Sequence, residues 1–150
     1  MRRTLLAACA LAVPLLPAAA LAEGKPLPPP ASAVMPPVEL TISMQDGKPV
    51  CAPQEIRLPA DTNVALHVVS SADTPVTLTM PGQFANGRVL HADGDLVHVA
   101  SEDGYLVKQN GKGTLRLRTL GPGQESYACT STRDRKAPFT GTFVRTPPAG

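Results

Sequence analysis

Turn-forming pairs recur along this chain and divide it into segments too short for long helices. Asp46-Gly47, Asp93-Gly94, Asp103-Gly104 and Asn110-Gly111 are typical of tight turns, because these residue types tolerate positive φ. Between the turns, apolar and polar side chains alternate as in a half-buried strand; Val38-Glu-Leu-Thr-Ile-Ser-Met44 is an example. The pattern predicts one all-β domain, an antiparallel Greek-key β-sandwich of roughly seven to nine short strands.

The N-terminal residues have the composition of a secretory signal peptide. A positive start is followed by an apolar run and by the small-x-small site Ala20-Leu-Ala22, with cleavage expected before Glu23. Cys9 is expected to be an ordinary residue of the apolar run, discarded on export; the alternative is that Leu6-Ala-Ala-Cys9 is a lipobox, which would make Cys9 an acylated N-terminus. We predict a signal peptide at 1–22, a proline-rich tether at 23–37, the folded domain at 38–146 and a disordered tail at 147–150. The mature protein is then periplasmic or secreted.

The charge balance gives no indication of a polyanionic partner. The formal net charge is +2 and includes Arg2 and Arg3, so the chain after Ala22 is near neutral. We expect no nucleic-acid partner and no transmembrane segment in the mature chain. The sequence contains no Gly-x-Ser-x-Gly, His-Glu-x-x-His, phosphate-loop or dinucleotide motif, so we expect a protein that is not an enzyme.

Two stretches of the sequence resemble the cupredoxins. Gly121-Pro-Gly-Gln-Glu-Ser-Tyr-Ala-Cys129, followed by Thr140-Gly-Thr-Phe-Val-Arg145, is similar to the family's last hairpin, whose first strand delivers a cysteine to one end of the sandwich. The stretch from Pro53 to Leu66, with its turn Pro59-Ala-Asp-Thr62, resembles an early hairpin of the family. A cysteine just before that proline, here Cys51, is similar to the EfeO-type cupredoxin-like group. The resemblance implies a cupredoxin-like β-sandwich.

This resemblance also implies a function. It suggests an exported accessory protein of iron or copper handling, with a periplasmic or membrane metal-transport protein as partner and copper or iron as the candidate metal. The family's copper site needs a histidine soon after the cysteine and usually a methionine before the closing glycine. The loop Thr130–Phe139 contains neither, so type 1 blue copper is not expected. Two alternatives are a disulfide-locked protein-interaction module without bound metal and a small electron-transfer or thiol-redox protein.

Cys51 and Cys129 are the cysteines that remain after the predicted cleavage site. In a small exported protein such a pair defaults to a disulfide, because the compartment is oxidising. A bridge between them would stabilise the fold by about 4 kcal/mol in the chain-entropy model. In the family's topology both lie at the same end of the sandwich, where two thiolates can also bind a soft metal ion or form a redox pair. The candidate further ligands are Met80, His91, His98, Met44 and Glu102.

The remaining histidines and the loop after Cys129 allow weaker predictions. His67 alternates with apolar neighbours and should face away from them. The Asp93-Gly94 turn predicts a hairpin across which His91 and His98 face each other, within an inserted region of hairpins at 81–113. The run Arg133-Asp-Arg-Lys136 indicates a solvated loop, with two alternatives: it lowers a thiol pKa or receives an anionic partner.

Overall fold

The computed structural model describes residues 37–85 and 88–147. The predictions for the signal peptide, for nearly all of the proline-rich tether and for residues 148–150 lie outside this part of the chain. The described residues form eleven strands, one α-helix and one 3-10 turn at Ala100–Glu102. The elements are β1 (Val38–Gln45), β2 (Lys48–Ala52), β3 (Glu55–Pro59), β4 (Asn63–Ser70), β5 (Val76–Thr79), α1 (Pro81–Ala85), β6 (Val89–Gly94), β7 (Leu96–Val99), β8 (Gly104–Val107), β9 (Lys112–Arg118), β10 (Gly123–Ser131) and β11 (Phe139–Thr146).

The strands belong to two sheets that enclose the core between them. The first sheet has the order β2-β1-β4-β9-β6 and the second the order β3-β11-β10-β5-β8-β7. Most neighbouring strands are antiparallel, as predicted. Each sheet also contains one parallel pair among its described strands, β1 with β4 in the first and β11 with β3 in the second. The predicted β-sandwich is therefore confirmed, but its sheets are mixed and its described residues form eleven strands, more than the seven to nine predicted.

Alternation along each strand places one row of apolar side chains in the core. On β9, Leu115 and Leu117 are fully buried and Arg116 is exposed, as the sequence pattern predicts. The same period of two holds on β4, where buried residues alternate with more exposed ones from Val64 to Ser70. Burial of these apolar faces is the main force that holds the sheets together. The largest fully buried side chains are Tyr127, Phe143, Leu40, Ile42, Ile56, Leu58, Leu66, Leu78, Met80, Leu115, Leu117 and Gln83.

The sequence pattern predicts a single strand over Cys51–Leu58, but Pro53 interrupts it in the structure. β2 ends at Ala52 in the first sheet, and β3 begins at Glu55 in the second. Proline has no N–H for a strand ladder, so the chain changes sheet here. The turn at Pro59–Thr62 is a second crossing, since β3 and β4 also lie in different sheets. The hairpin predicted around that turn is therefore wrong.

The region 81–113 contains both a hairpin and crossings between the sheets. Asp103-Gly104 joins β7 to β8 through the predicted tight turn, with Asp103 at φ 48°. Asp93-Gly94 instead precedes a crossing, because β6 pairs with β9 in the first sheet and β7 pairs with β8 in the second. The predicted hairpin between β6 and β7 is wrong, since a turn dipeptide marks a reversal without specifying which sheet the next strand joins.

Helix α1 is not predicted by the sequence pattern, because five residues are too few to establish a helical period. Its buried residue Gln83 holds it against the sandwich. The Gln83 Nε2 donates to the carbonyl of Arg118 at 2.7 Å, and its Oε1 accepts from the backbone N–H of Leu120 at 3.2 Å. Glu125 on β10 accepts a hydrogen bond from the Gly82 N–H at 2.9 Å, so the helix is attached to both sheets.

Tyr127 ties β10 to the point where the chain changes sheet. Its hydroxyl donates to the carbonyl oxygen of Pro53 at 2.6 Å, and the side chain is 1% exposed. Gly141 lies opposite Tyr127 on β11, and a Cβ there would overlap the Tyr127 ring and the carbonyl oxygen of Gln54. The same Gln54 oxygen accepts the N–H of Thr142 at 2.8 Å. Gly141 is thus required by a close approach of ring and backbone.

We predict that Gly141→Ala destabilises the protein by about 1–3 kcal/mol, because neither the Tyr127 ring nor the Gln54 carbonyl can move without losing a hydrogen bond. Urea unfolding of the purified domain measures this. Gly121→Ala is the matched control, since a Cβ at Gly121 meets no atom within 4 Å. Equal midpoints for the two variants would contradict the packing argument.

A second prediction concerns alkaline pH. Burial raises the pKa of Tyr127 to about 12 from its ordinary value of 10.0. The unfolded chain then loses the Tyr127 proton before the folded chain does, so the contribution of Tyr127 to the free energy of unfolding is constant below about pH 10 and falls between about pH 10 and pH 12. Urea unfolding over this range should show a shallower decline for Tyr127→Phe, together with a loss of about 1–2 kcal/mol at neutral pH.

Tyr105→Phe is the control for this experiment. Burial also raises the pKa of Tyr105, but that side chain makes no contact with the Pro53 carbonyl. This variant should keep the part of the alkaline decline that Tyr127 causes. An alkaline profile identical in Tyr127→Phe and the unmodified protein would refute the assignment.

Candidate functional site

The cysteine pair joins the two sheets. Cys51 lies on β2 of the first sheet and Cys129 on β10 of the second, and their sulfurs form a disulfide with a Cα–Cα distance of 6.6 Å. Cys51 is 2% exposed and Cys129 0% exposed. The predicted disulfide is therefore present, and it lies inside the core.

The strands around the disulfide explain why it is inaccessible. Ile42 is the partner of Cys51 across the first sheet, and Leu78 and Phe139 flank Cys129 in the second. Thiol-disulfide exchange requires an attacking thiolate to reach one of the sulfurs. Burial among these side chains prevents that approach in the folded state. The geometry is that of a structural crosslink and is unfavourable for a redox-active pair.

The residues present do not fit a type 1 copper site. The Cys129 sulfur is bonded to carbon and to the Cys51 sulfur, so in this state it is not the thiolate that soft metals require. After Cys129, β10 continues to Ser131. In the loop that follows, the Asp134 carboxylate accepts a hydrogen bond from the backbone N–H of Lys136 at 3.0 Å. Within residues 37–85 and 88–147, no three His, Cys, Asp or Glu side chains are grouped so that they could hold a metal ion.

The other predicted ligands are dispersed. Met80 is fully buried in the core, and Met44 is half-buried on β1. His91 is exposed on β6 in the first sheet, with its Nε2 3.8 Å from Asp93 Oδ2. His98 is exposed on β7 in the second sheet, where its ring centroid lies 5.1 Å from that of Tyr105. The predicted pairing of His91 and His98 across one hairpin is therefore wrong, because their strands belong to different sheets.

The arginines that follow Cys129 both have acidic partners. Arg135 Nη1 lies 2.8 Å from Glu102 Oε1, and Arg133 Nη1 lies 3.6 Å from Asp73 Oδ2. Both arginine side chains are 68% exposed, so each pair is weakened by solvent. Their charges are nevertheless compensated locally. The loop is a solvated one, and because Cys129 is in the disulfide, it has no thiol whose pKa the loop could lower.

A cleft on the outer face of the second sheet was not predicted. It is lined mainly by Thr77, Thr79, Thr130, Thr132, Glu102 and Arg135, has a volume of about 250 Å³, and is here named the threonine cleft. The sequence marks Thr77 and Thr79 only as polar residues on a strand. The cleft depends on β5 lying between β8 and β10, which the alternation of side chains does not specify.

Comparison with the models of known protein families gave no match, and comparison with the curated proteins gave none either. Several solved structures are similar in fold. The bacterial laccase-like multicopper oxidase CueO from Ochrobactrum sp. is 11% identical with a TM-score of 0.52, over 75% of this chain and 31% of that one. Copper nitrite reductase from Nitrosomonas europaea is 11% identical with a TM-score of 0.50, over 76% and 50%. A multicopper oxidase from Pediococcus acidilactici is 16% identical with a TM-score of 0.50, over 99% and 31%.

These similarities concern the fold alone. The present chain spans half or less of the length of each of these three proteins. Their shared architecture confirms the predicted cupredoxin-like β-sandwich. The narrower resemblance to the EfeO-type group stays a prediction. Among the described residues, no helix has the length and apolar character needed to cross a bilayer.

We predict that the double variant Cys51→Ala, Cys129→Ala, which lacks the disulfide, has a free energy of unfolding lower by about 4 kcal/mol. In the chain-entropy model, this is the effect of removing the crosslink from the unfolded chain. Urea unfolding of both proteins measures the difference. In the unmodified protein, free thiols should appear under reductant only at urea concentrations that unfold the chain, because both sulfurs are buried. Rapid appearance of two thiols without urea would contradict the structural role and favour a redox-active pair.

Proposed function

We propose that this chain is an exported, non-catalytic accessory protein: a cupredoxin-like sandwich locked by a disulfide, which binds a protein partner and holds no type 1 copper. The observation that carries the proposal is the disulfide between Cys51 and Cys129. The disulfide uses the sulfur of Cys129 on β10, which a cupredoxin copper site would need as a ligand. The sandwich thus retains the scaffold while its cysteine is used for stability.

Export is supported by two independent features. The residues before Glu23 have the composition of a signal peptide. Disulfides form and persist in oxidising compartments such as the bacterial periplasm, and are rare in the cytosol. A buried disulfide in a small domain is therefore expected in a protein that works outside the cytoplasm.

We further propose that the partner is a periplasmic or membrane protein of copper or iron transport. The support is the EfeO-type resemblance around Cys51 and Pro53. The solved structures of similar fold are named for copper, which favours copper over iron. A rigid scaffold that presents loops and strand edges suits binding, because preorganisation lowers the entropy lost on association.

The proposal predicts the composition of the exported protein. Protein purified from the periplasm without chelator and measured by native intact mass should carry no stoichiometric metal. In unfolding urea, alkylation should add two groups after reduction and none without it, because both sulfurs are in the bridge. The matched control is the Cys51→Ala, Cys129→Ala protein, which should add none. A stoichiometric copper or iron adduct that Cys129→Ser abolishes would overturn the proposal and make the chain a metal carrier.

The metal-handling context needs a separate measurement. Cells lacking the chain should differ from unmodified cells in the copper or iron content of the periplasmic fraction, and re-expression of the disulfide-bonded protein should restore it. Unchanged contents of both metals under limitation and excess would remove the metal-transport partner. The chain would then be a disulfide-locked interaction module whose partner is a protein unrelated to metal transport.

A further inference from the structure

We propose that the threonine cleft binds a neutral saccharide, one pyranose ring at a time. This inference stands apart from the proposed function, because the cleft lies on the outer face of the second sheet and the disulfide lies in the core. The proposal rests on three observations: uncommitted hydroxyl groups, compensated charge, and size.

The hydroxyl groups of the cleft are available to a ligand. Thr77, Thr79 and Thr130 make no side-chain hydrogen bond within the described part of the chain. Thr77 lines the cleft and is 6% exposed, and the described residues contain no fully buried side-chain oxygen without a partner, so its hydroxyl oxygen keeps some access to solvent. A threonine hydroxyl both donates and accepts, as sugar hydroxyls do. Three such groups on two adjacent strands can bind a polyhydroxylated molecule.

The strand register sets the arrangement of these groups. Thr130 on β10 lies directly opposite Thr77 on β5. On the other side of β5, a Cβ at Gly104 would lie 2.9 Å from the Thr79 Cγ2 and 3.2 Å from the Thr77 Cγ2. The threonine methyl groups therefore border β8 and offer an apolar strip beside the hydroxyls. A sugar ring likewise has an apolar C–H face and a rim of hydroxyls.

The charge at the cleft favours a neutral ligand. Glu102 and Arg135 form its wall and are joined at 2.8 Å, so the wall carries no net charge. An oxyanion such as phosphate would meet an arginine that is already neutralised, and a metal cation would meet poor hydroxyl donors. A vicinal diol can use both partners of the pair, accepting from the guanidinium and donating to the carboxylate.

The size of the cleft limits the ligand to one ring. Its volume of about 250 Å³ is below the range of drug-sized pockets. A ligand with so few contacts binds weakly, with a dissociation constant on the order of 1 mM. A longer glycan would bind through one residue and extend over the sheet surface.

The test is an amide chemical-shift titration of the disulfide-bonded protein with D-glucose, D-galactose and N-acetyl-D-glucosamine, and separately with inorganic phosphate. At least one of the three sugars should give saturable shifts at Thr77, Thr79 and Thr130, and phosphate should give none. Thr77→Val, which keeps the shape and removes the hydroxyl, should weaken that sugar about tenfold. Thr41→Val on the first sheet should leave the dissociation constant unchanged.

Glu102→Gln provides a second variant that leaves the strands unaltered. It should weaken sugar binding and create phosphate binding, because Arg135 then loses its compensating charge. The proposal is overturned if none of the three sugars shifts these amides, if phosphate alone does so in the unmodified protein, or if Thr77→Val binds the sugar as tightly as the unmodified protein.

Discussion

The attachment of β10 to the end of β2 is the constraint on which the rest of the sandwich depends. Tyr127 and Cys129 are two residues apart on β10 and point to the same face. They bind Pro53 and Cys51, which are two residues apart where the chain leaves the first sheet for the second. One link is covalent and the other is a buried hydrogen bond. Together they fix the separation and the register of the sheets along one side, and the absence of a side chain at Gly141 makes room for them.

The local part of this structure could be predicted from the sequence, but the distribution of the strands between the two sheets could not. Alternation correctly placed Leu115 and Leu117 inward, and the Asp46-Gly47 pair correctly marked the turn between β1 and β2. A turn dipeptide has the same composition in a hairpin and in a crossing, so Asp93-Gly94 could not be told from Asp103-Gly104. Helix α1 was not predicted, because it is stabilised by contacts of Gln83 with β9 and with the segment after β9, which are distant in sequence.

The candidate site was predicted in part for the same reason. The pairing of Cys51 with Cys129 was predicted from the expected export signal and from the family resemblance, both of which rest on local sequence. The threonine cleft could not be predicted from the sequence, because its lining residues come from β5, from the end of β10 and from the turn before β8, which are separate segments of the chain. Several polar side chains proposed as metal ligands proved to have other contacts. Glu102 pairs with Arg135 and His91 lies beside Asp93, while Met80 fills the core.

The position of the disulfide along the chain also bears on how the protein matures. The sequence contains three cysteines, and cleavage at the predicted signal-peptide site would remove Cys9. Cys51 and Cys129 would then have one possible intramolecular pairing, so oxidation could not produce a scrambled isomer. Because the two cysteines are 78 residues apart, the bridge encloses the seven strands from β3 to β9 in one covalent loop. A backbone cut at any position within that loop would therefore leave the two fragments covalently joined.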